Sequence, residues 1–172
     1  TNLIPNPTVT YTPSAATGSL AYTPVSNANG SAVITVTVTD DGGTANSGVN
    51  STTMTFTVDV TAVNDIPTIT AVSDPSAILE DAGEQTISLS GIADGDADIA
   101  QTITVTASSN NTSVIPNPTV TYTSDNATGS LAYTPVSDAS GTADITVTVS
   151  DNGGTANSGV NSTTMTFTVD VT

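Results

Sequence analysis

The sequence predicts an all-β protein in which a β-sandwich domain is repeated in tandem. Apolar and polar residues alternate through short runs rich in Val, Ile and Thr, and no helical period interrupts them. In addition, residues 1–61 recur as residues 112–172 at a fixed offset of 111, with about fifty of those sixty-one positions identical. Self-similarity at a fixed period indicates an array of repeated structural units.

The repeat sets the predicted domain boundaries. Residues 1–61 form the C-terminal part of one repeat, residues 62–67 an interdomain linker, and residues 68–172 a complete repeat domain. On this division the first part supplies only the later strands of a sandwich. We therefore expect its inward faces to be bare unless an upstream segment or another chain covers them.

Seven strands are predicted in the complete repeat. The first is split, because Pro75 interrupts the alternation between residues 68–72 and 77–79. The other six runs are residues 86–89, 102–106, 119–122, 130–133, 145–149 and 165–171. Seven short strands in about 105 residues match the size of an immunoglobulin-like sandwich.

The alternation also predicts the core of this domain, because every second residue of a half-buried strand points inward. The predicted inward set is Ile87, Leu89, Ile103, Val105, Val120, Tyr122, Leu131, Tyr133, Ile145, Val147, Val149, Met165, Phe167 and Val169.

The composition excludes several classes of function. The chain has no Lys, Arg or His against sixteen Asp and Glu, so its formal charge is −16. Binding to nucleic acid or to an anionic membrane surface needs cationic groups, which are absent. Without Cys, His or Lys there is no thiol nucleophile, no Ser-His dyad, no Schiff base and no ordinary zinc site. We predict that the chain is not an enzyme, and no apolar run is long enough for membrane insertion.

The order of the strands predicts where the acidic residues lie. If the strands alternate in direction, the loops after even-numbered strands lie at the same end of the sandwich as the linker. Acidic and amide side chains from three separate segments then meet there. They are Asn64, Asp65, Asp94, Asp96, Asp98 and Asp151. The opposite end carries Glu80, Asp81, Glu84 and Asp138.

The group at the linker end predicts a calcium site. Several carboxylates packed together repel one another unless they share a counterion, and Ca²⁺ takes six to eight oxygen ligands in flexible geometry. The alternative for any isolated acidic residue, such as Asp74, is simple solvation. The run 94–98 imitates the start of an EF-hand loop, but Ile99 stands at its sixth position, where the loop needs Gly, and strands flank it.

Four short motifs in order resemble the cadherin-like repeats of large bacterial surface proteins and adhesins. Residues 78–82 resemble the Pro-Glu-Asn segment of the first cadherin strand, and residues 96–98 match the Asp-x-Asp element. Residues 149–154 resemble the late Asp-x-Gly loop, and residues 63–67 resemble the Asn-Asp-x-Pro linker. The mid-domain acidic motif of that family has no clear counterpart here.

The resemblance implies that Ca²⁺ lies between consecutive domains and stiffens the array. Carried over by position, the ligands of the junction are Asn64, Asp65, Asp96, Asp98 and Asp151. Glu80 serves the following junction and Asp40 the preceding one. The partners implied are neighbouring repeats or other copies of the chain, with glycans possible through regions outside this segment. The implied location is extracellular or on a bacterial cell surface.

The leading functional prediction is therefore a structural extender module of a secreted or cell-surface repeat protein. The alternative is a self-assembling fibre subunit, in which a neighbouring chain completes the half domain. A third reading is glycan or ice recognition by rows of Thr such as Thr35, Thr37 and Thr39. Thr is also favoured on solvent-facing strands for its β-propensity alone.

Overall fold

The structure is a computed structural model that describes residues 3–97 and 99–172. It confirms the all-β prediction, since the described residues contain ten strands and no α-helix. The chain divides into two compact units, Thr1–Ala62 and Val63–Thr172. The second unit thus begins inside the predicted linker.

The first unit contains two separate antiparallel pairs. Strand β1 (Thr8–Thr10) pairs with β2 (Ser19–Ala21), and β3 (Gly30–Thr39) pairs with β4 (Ser51–Val60). Of its described apolar residues, only Ile4 and Ile34 are buried. Most of the other large apolar side chains of this unit, such as Val38 and Met54, are exposed.

The second unit contains two three-stranded antiparallel sheets. One has the order β5-β8-β7, built from Gln85–Ser90, Thr128–Tyr133 and Thr119–Thr121. The other has the order β10-β9-β6, built from Ser162–Val171, Gly141–Ser150 and Thr104–Ser109. The long β9–β10 hairpin places Phe167 opposite Ile145.

Residues from both sheets form a single core in the second unit. Every residue of the predicted inward set is either buried or packed against this core. Prediction missed five members that lie outside the alternating runs or at their ends: Ile92, Val114, Ile115, Ala143 and Val171.

The predicted first strand is present only as two isolated bridges. Thr68 bridges antiparallel to Ala93, and Ile78 bridges parallel to Val171 in β10. Pro75 lies between the two bridges and has no N–H to donate, so the segment leaves one sheet edge before joining another. Six named strands therefore stand where seven were predicted.

Strand β6 also differs from the prediction, because it begins at Thr104 and continues to Ser109. The Thr102 N–H donates to Asn152 Oδ1 at 2.9 Å, and the Ile103 N–H donates to Ser124 Oγ at 2.9 Å. Loop side chains thus accept the hydrogen bonds of the Thr102 and Ile103 N–H groups, which the prediction placed in a β-strand. The same contacts bring the loops after β5, β7 and β9 together at one end of the unit.

Candidate metal centre

Asn64 docks into the loop between β9 and β10. Its side chain is 9% exposed, and Nδ2 donates to Asp151 Oδ1 at 2.9 Å, to the Val160 carbonyl at 2.8 Å and to the Gly154 carbonyl at 3.2 Å. The Asn64 carbonyl accepts from the Val160 N–H at 3.1 Å. Asn64, at which the chain enters the second unit, is thus hydrogen-bonded into the end of that unit.

The loop that receives Asn64 is shaped by its own sequence. The Asp151 N–H donates to the Asn161 carbonyl at 3.0 Å, and Asp151 Oδ1 accepts from the Gly153 N–H at 2.9 Å. Between them a short 3-10 helix at Ala156–Ser158 holds Asn157 at φ 55°, a left-handed conformation that Asn tolerates better than most residues. The bond from Asp151 to Asn161 closes the loop at its base.

Gln101 joins the acidic loop after β5 to the Asn64 side chain. Its Nε2 donates to Asn64 Oδ1 at 2.5 Å and to Asp96 Oδ2 at 2.8 Å, and its N–H donates to Asp94 Oδ2 at 3.0 Å. Gln101 thus links Asn64 of the linker to the one loop that carries Asp94 and Asp96.

Sequence reasoning missed Gln101, although the sequence carried a signal for it. Gln101 precedes Ile103 by two positions and Val105 by four, and both of these residues are buried. A polar residue in step with the inward-facing residues of a run is expected to point inward as well. Gln101 is 7% exposed.

Two buried oxygen atoms at this end accept no hydrogen bond. They are Gln101 Oε1 and Asp151 Oδ2, and both residues bond to the Asn64 side chain. Leaving a buried acceptor without a donor costs about 1–3 kcal/mol, and more for a charged group. The chain has no cationic side chain to offer, so a metal ion fits the chemistry of these two oxygens.

The glycine at position 153 makes this close packing possible. A Cβ built there would overlap Asn64 Oδ1 and would lie 2.5 Å from Gln101 Oε1. The corresponding position in the first unit is Gly42, where a Cβ would meet only Asp40 Oδ1 at 3.1 Å. The lack of a side chain therefore matters at the docked loop and not at its copy.

The structure brings together four of the predicted ligands: Asn64, Asp94, Asp96 and Asp151. Asp65 is half-buried beside Asn64 in the chain, and Asp98 lies outside the described residues. Among the described residues, no three carboxylates at this end come within 4.8 Å of one another. The amide groups of Asn64 and Gln101 stand between them.

The other two predicted ligands lie elsewhere. Asp40 is exposed in the first unit, where Oδ1 accepts from the Gly42 N–H at 2.8 Å. Glu80 lies at the opposite end of the second unit, where its N–H donates to the Thr172 carbonyl at 3.0 Å. Within the second unit, Glu80 and Asn64 thus lie at opposite ends.

Glu80 belongs to an acidic triad with Asp81 and Asp138. Each of the three offers a carboxylate oxygen within 4.8 Å of the others, and Asp81 Oδ1 also accepts from Ser137 Oγ at 3.1 Å. The sequence placed these residues at one end of the domain but named only Glu80 as a ligand. The β8–β9 turn brings Asp138 in, at a φ of 58°.

Comparisons with family models, with curated proteins and with solved structures found no match for this chain. Among the described residues, no helix has the length and apolar character needed to cross a membrane.

Proposed function

We propose that this chain is a structural extender: a repeat module of a secreted or cell-surface protein, with an immunoglobulin- or cadherin-like sandwich as its unit. One observation carries the proposal. The chain enters the second unit at Asn64, beside the β9–β10 turn, and leaves it at Thr172, beside Glu80 at the far end of β10.

Entry and exit at opposite ends mean that each added unit adds length. Strands β9 and β10 have ten residues each, which corresponds to roughly 33 Å of sheet. A domain with both termini at one end would add bulk to an array without extending it. The near-identity of the repeated sequence also suits a module whose number matters more than its individual surface.

The order of the strands supports the immunoglobulin-like assignment. With β5 as strand B, the two sheets have the orders B-E-D and G-F-C, which is the seven-strand immunoglobulin arrangement without strand A. The bridges at Thr68 and Ile78 lie where the two halves of a split strand A would lie.

We further propose that Ca²⁺ binds at the Asn64 end. Asp151 Oδ2 and Gln101 Oε1 are the buried oxygens that would hold it, with Asp94 and Asp96 supplying further carboxylate oxygens. A bound cation would offset the repulsion among these carboxylates. Asn64 positions Asp151 through its hydrogen bond, so an ion here would also fix the direction in which the chain enters the domain.

The test is thermal unfolding together with small-angle scattering, with Ca²⁺ added and then removed by a chelator. The proposal predicts a higher melting temperature for the second unit and a longer maximum dimension in Ca²⁺. An equal concentration of Mg²⁺ is the control, since it prefers a small octahedral site and keeps its water. If neither quantity changes, the calcium proposal is wrong. The extender proposal is tested separately, on arrays of more repeats.

A further inference from the structure

The first unit presents an open apolar face. In its sequence copy, within the second unit, the corresponding face is covered. Val38 is 61% exposed while its counterpart Val149 is fully buried, and Phe56 is 37% exposed while Phe167 is 2% exposed. Identical side chains at matched positions thus differ only in whether something lies over them. We propose that this open face is a docking site for a polypeptide segment with the sequence pattern of residues 63–111.

The strand edges identify the occupant. In the second unit β9 pairs with both β10 and β6, whereas its copy β3 pairs with β4 alone. Likewise β8 pairs with β5 and β7, whereas β2 pairs only with β1. The two edges left without a partner in the first unit are therefore the two that β5 and β6 occupy in the second.

The register of docking follows from the repeat. Val105 pairs with Val149 and Ile87 pairs with Leu131 in the second unit, so the same residues of a docked segment would lie opposite Val38 and Leu20. Two edge strands would be added with backbone hydrogen bonds, and their alternate side chains would cover the open face. Two contacts change. Asp144, which accepts from Asn110 Nδ2 at 2.9 Å, corresponds to Val33, and Ser124, whose Oγ accepts from the Ile103 N–H at 2.9 Å, corresponds to Pro13.

Exchange of strands between copies of residues 1–172 does not cover this face. Residues 1–172 contain two receptive halves, residues 1–61 and 112–172, and one segment that can complete either of them. Swapping segments between copies therefore leaves as many open halves as before. Only a segment that is not already part of its own sandwich gains buried area by docking, and this defines the partner.

The experiment adds a synthetic peptide of residues 63–111 to the full chain at physiological salt, with and without a chelator. Sedimentation and hydrogen exchange should show a one-to-one complex in which the amides of β3 become protected. The peptide also carries Asn64, which can dock against the Asp40 loop. Binding is nevertheless expected with the chelator present, so it does not depend on the calcium proposal.

A matched pair of variants locates the contact. Val38→Asp places a carboxylate on the open face and should weaken binding by more than about tenfold, because an unpaired buried charge is strongly disfavoured. Thr37→Asp adds the same charge to the opposite face of β3 and should change binding by less than about threefold. Both positions are exposed, so neither change is expected to unfold the unit.

Three outcomes would overturn the proposal. One is that the peptide does not bind at concentrations of about 100 μM. The second is binding that Val38→Asp leaves unchanged, which would place the peptide in the second unit by displacement of its own segment. The third is a chain that dimerises without peptide, loses the dimer on Val38→Asp and binds no peptide, since the occupant would then be a second open half.

Discussion

Asn64 Nδ2 lies 2.9 Å from Asp151 Oδ1, a hydrogen bond between residues 87 positions apart. The loop that Asn64 enters occurs twice, and both copies close with the same backbone bond: Asp151 N–H to Asn161 at 3.0 Å and Asp40 N–H to Asn50 at 2.9 Å. The pocket for Asn64 is therefore formed by the loop sequence, and docking fills it.

The first prediction concerns Gly153 and its copy Gly42. Gly153→Ala should lower the stability of the second unit by about 2–3 kcal/mol, because the new methyl group displaces Asn64 and Gln101 from their hydrogen bonds. Gly42→Ala should cost less than about 0.5 kcal/mol. Urea unfolding followed by hydrogen exchange resolves the two units. Equal effects of the two changes would contradict the packing described at Gly153.

The second prediction concerns the donor role of Gln101. Gln101→Glu would set a carboxylate against Asn64 Oδ1 and Asp96 Oδ2, which now accept from Nε2. We expect a loss of about 2–4 kcal/mol in the presence of a chelator, and a larger rise in melting temperature on adding Ca²⁺ than the unchanged chain shows.

Gln85→Glu is the control for charge alone, since Gln85 Nε2 donates at an exposed position to the Gly83 carbonyl. It should alter stability by less than about 0.5 kcal/mol. If both Glu variants unfold at the same temperature with and without Ca²⁺, Gln101 has no special role at this end.

The third prediction compares Phe167 with Phe56. Phe167→Ala empties a buried core position and should cost about 3–5 kcal/mol in the second unit. Phe56→Ala removes a side chain that is 37% exposed and should cost the first unit less than half as much. Urea unfolding of each variant measures both costs. A large loss at Phe56 would mean that something covers the open face in solution.

The fourth prediction is a loss of stability at alkaline pH. Burial raises the pKa of Tyr133, so above pH about 10 the phenol ionises in the unfolded chain while it stays protonated in the folded one. The unfolded state then binds fewer protons, and the free energy of unfolding falls as the pH rises from about 10 towards the folded pKa.

Tyr133→Phe removes this titration, so the variant should lose less stability than the unchanged chain between pH about 9 and about 11. Tyr122 remains and titrates in the same direction, because burial, and next the charge of Asp125, raise its pKa. In Tyr133→Phe the free energy of unfolding should therefore still fall with rising pH, but less steeply than in the unchanged chain. Parallel stability curves for the two chains would show that Tyr133 is not the group responsible.

Alternation of residue types was enough to predict the all-β class and most of the core. It placed Leu89, Ile145 and Phe167 correctly, because a strand with one buried face repeats every two residues. It misplaced the start of β6, because the side chains of Asn152 and Ser124 reach that backbone from loops far along the chain. Long-range bonds of this kind leave no local pattern.

The sequence predicted at which end of the domain the candidate site lies, but not every residue that forms it. Counting strand directions placed Asp94, Asp96 and Asp151 at the end that carries Asn64, and the hydrogen bonds through Gln101 and Asn64 join them there. The count could not show that an amide would stand between the acids. The spacing of Gln101 from Ile103 and Val105 predicts that its side chain points inward, but its partners Asn64 and Asp96 follow from how the linker and the loop pack.

Calcium binding at Asn64 and Asp151 is tested by melting the full chain, Asp151→Asn and Asp40→Asn, each with Ca²⁺ and with chelator. We expect saturating Ca²⁺ to raise the melting temperature of the second unit by about 10 °C in the unchanged chain and in Asp40→Asn. Asp151→Asn keeps the acceptor for Asn64 but loses the buried carboxylate, and should lose the shift. An equal shift in all three proteins, or none in any, would contradict a calcium site at Asn64 and Asp151.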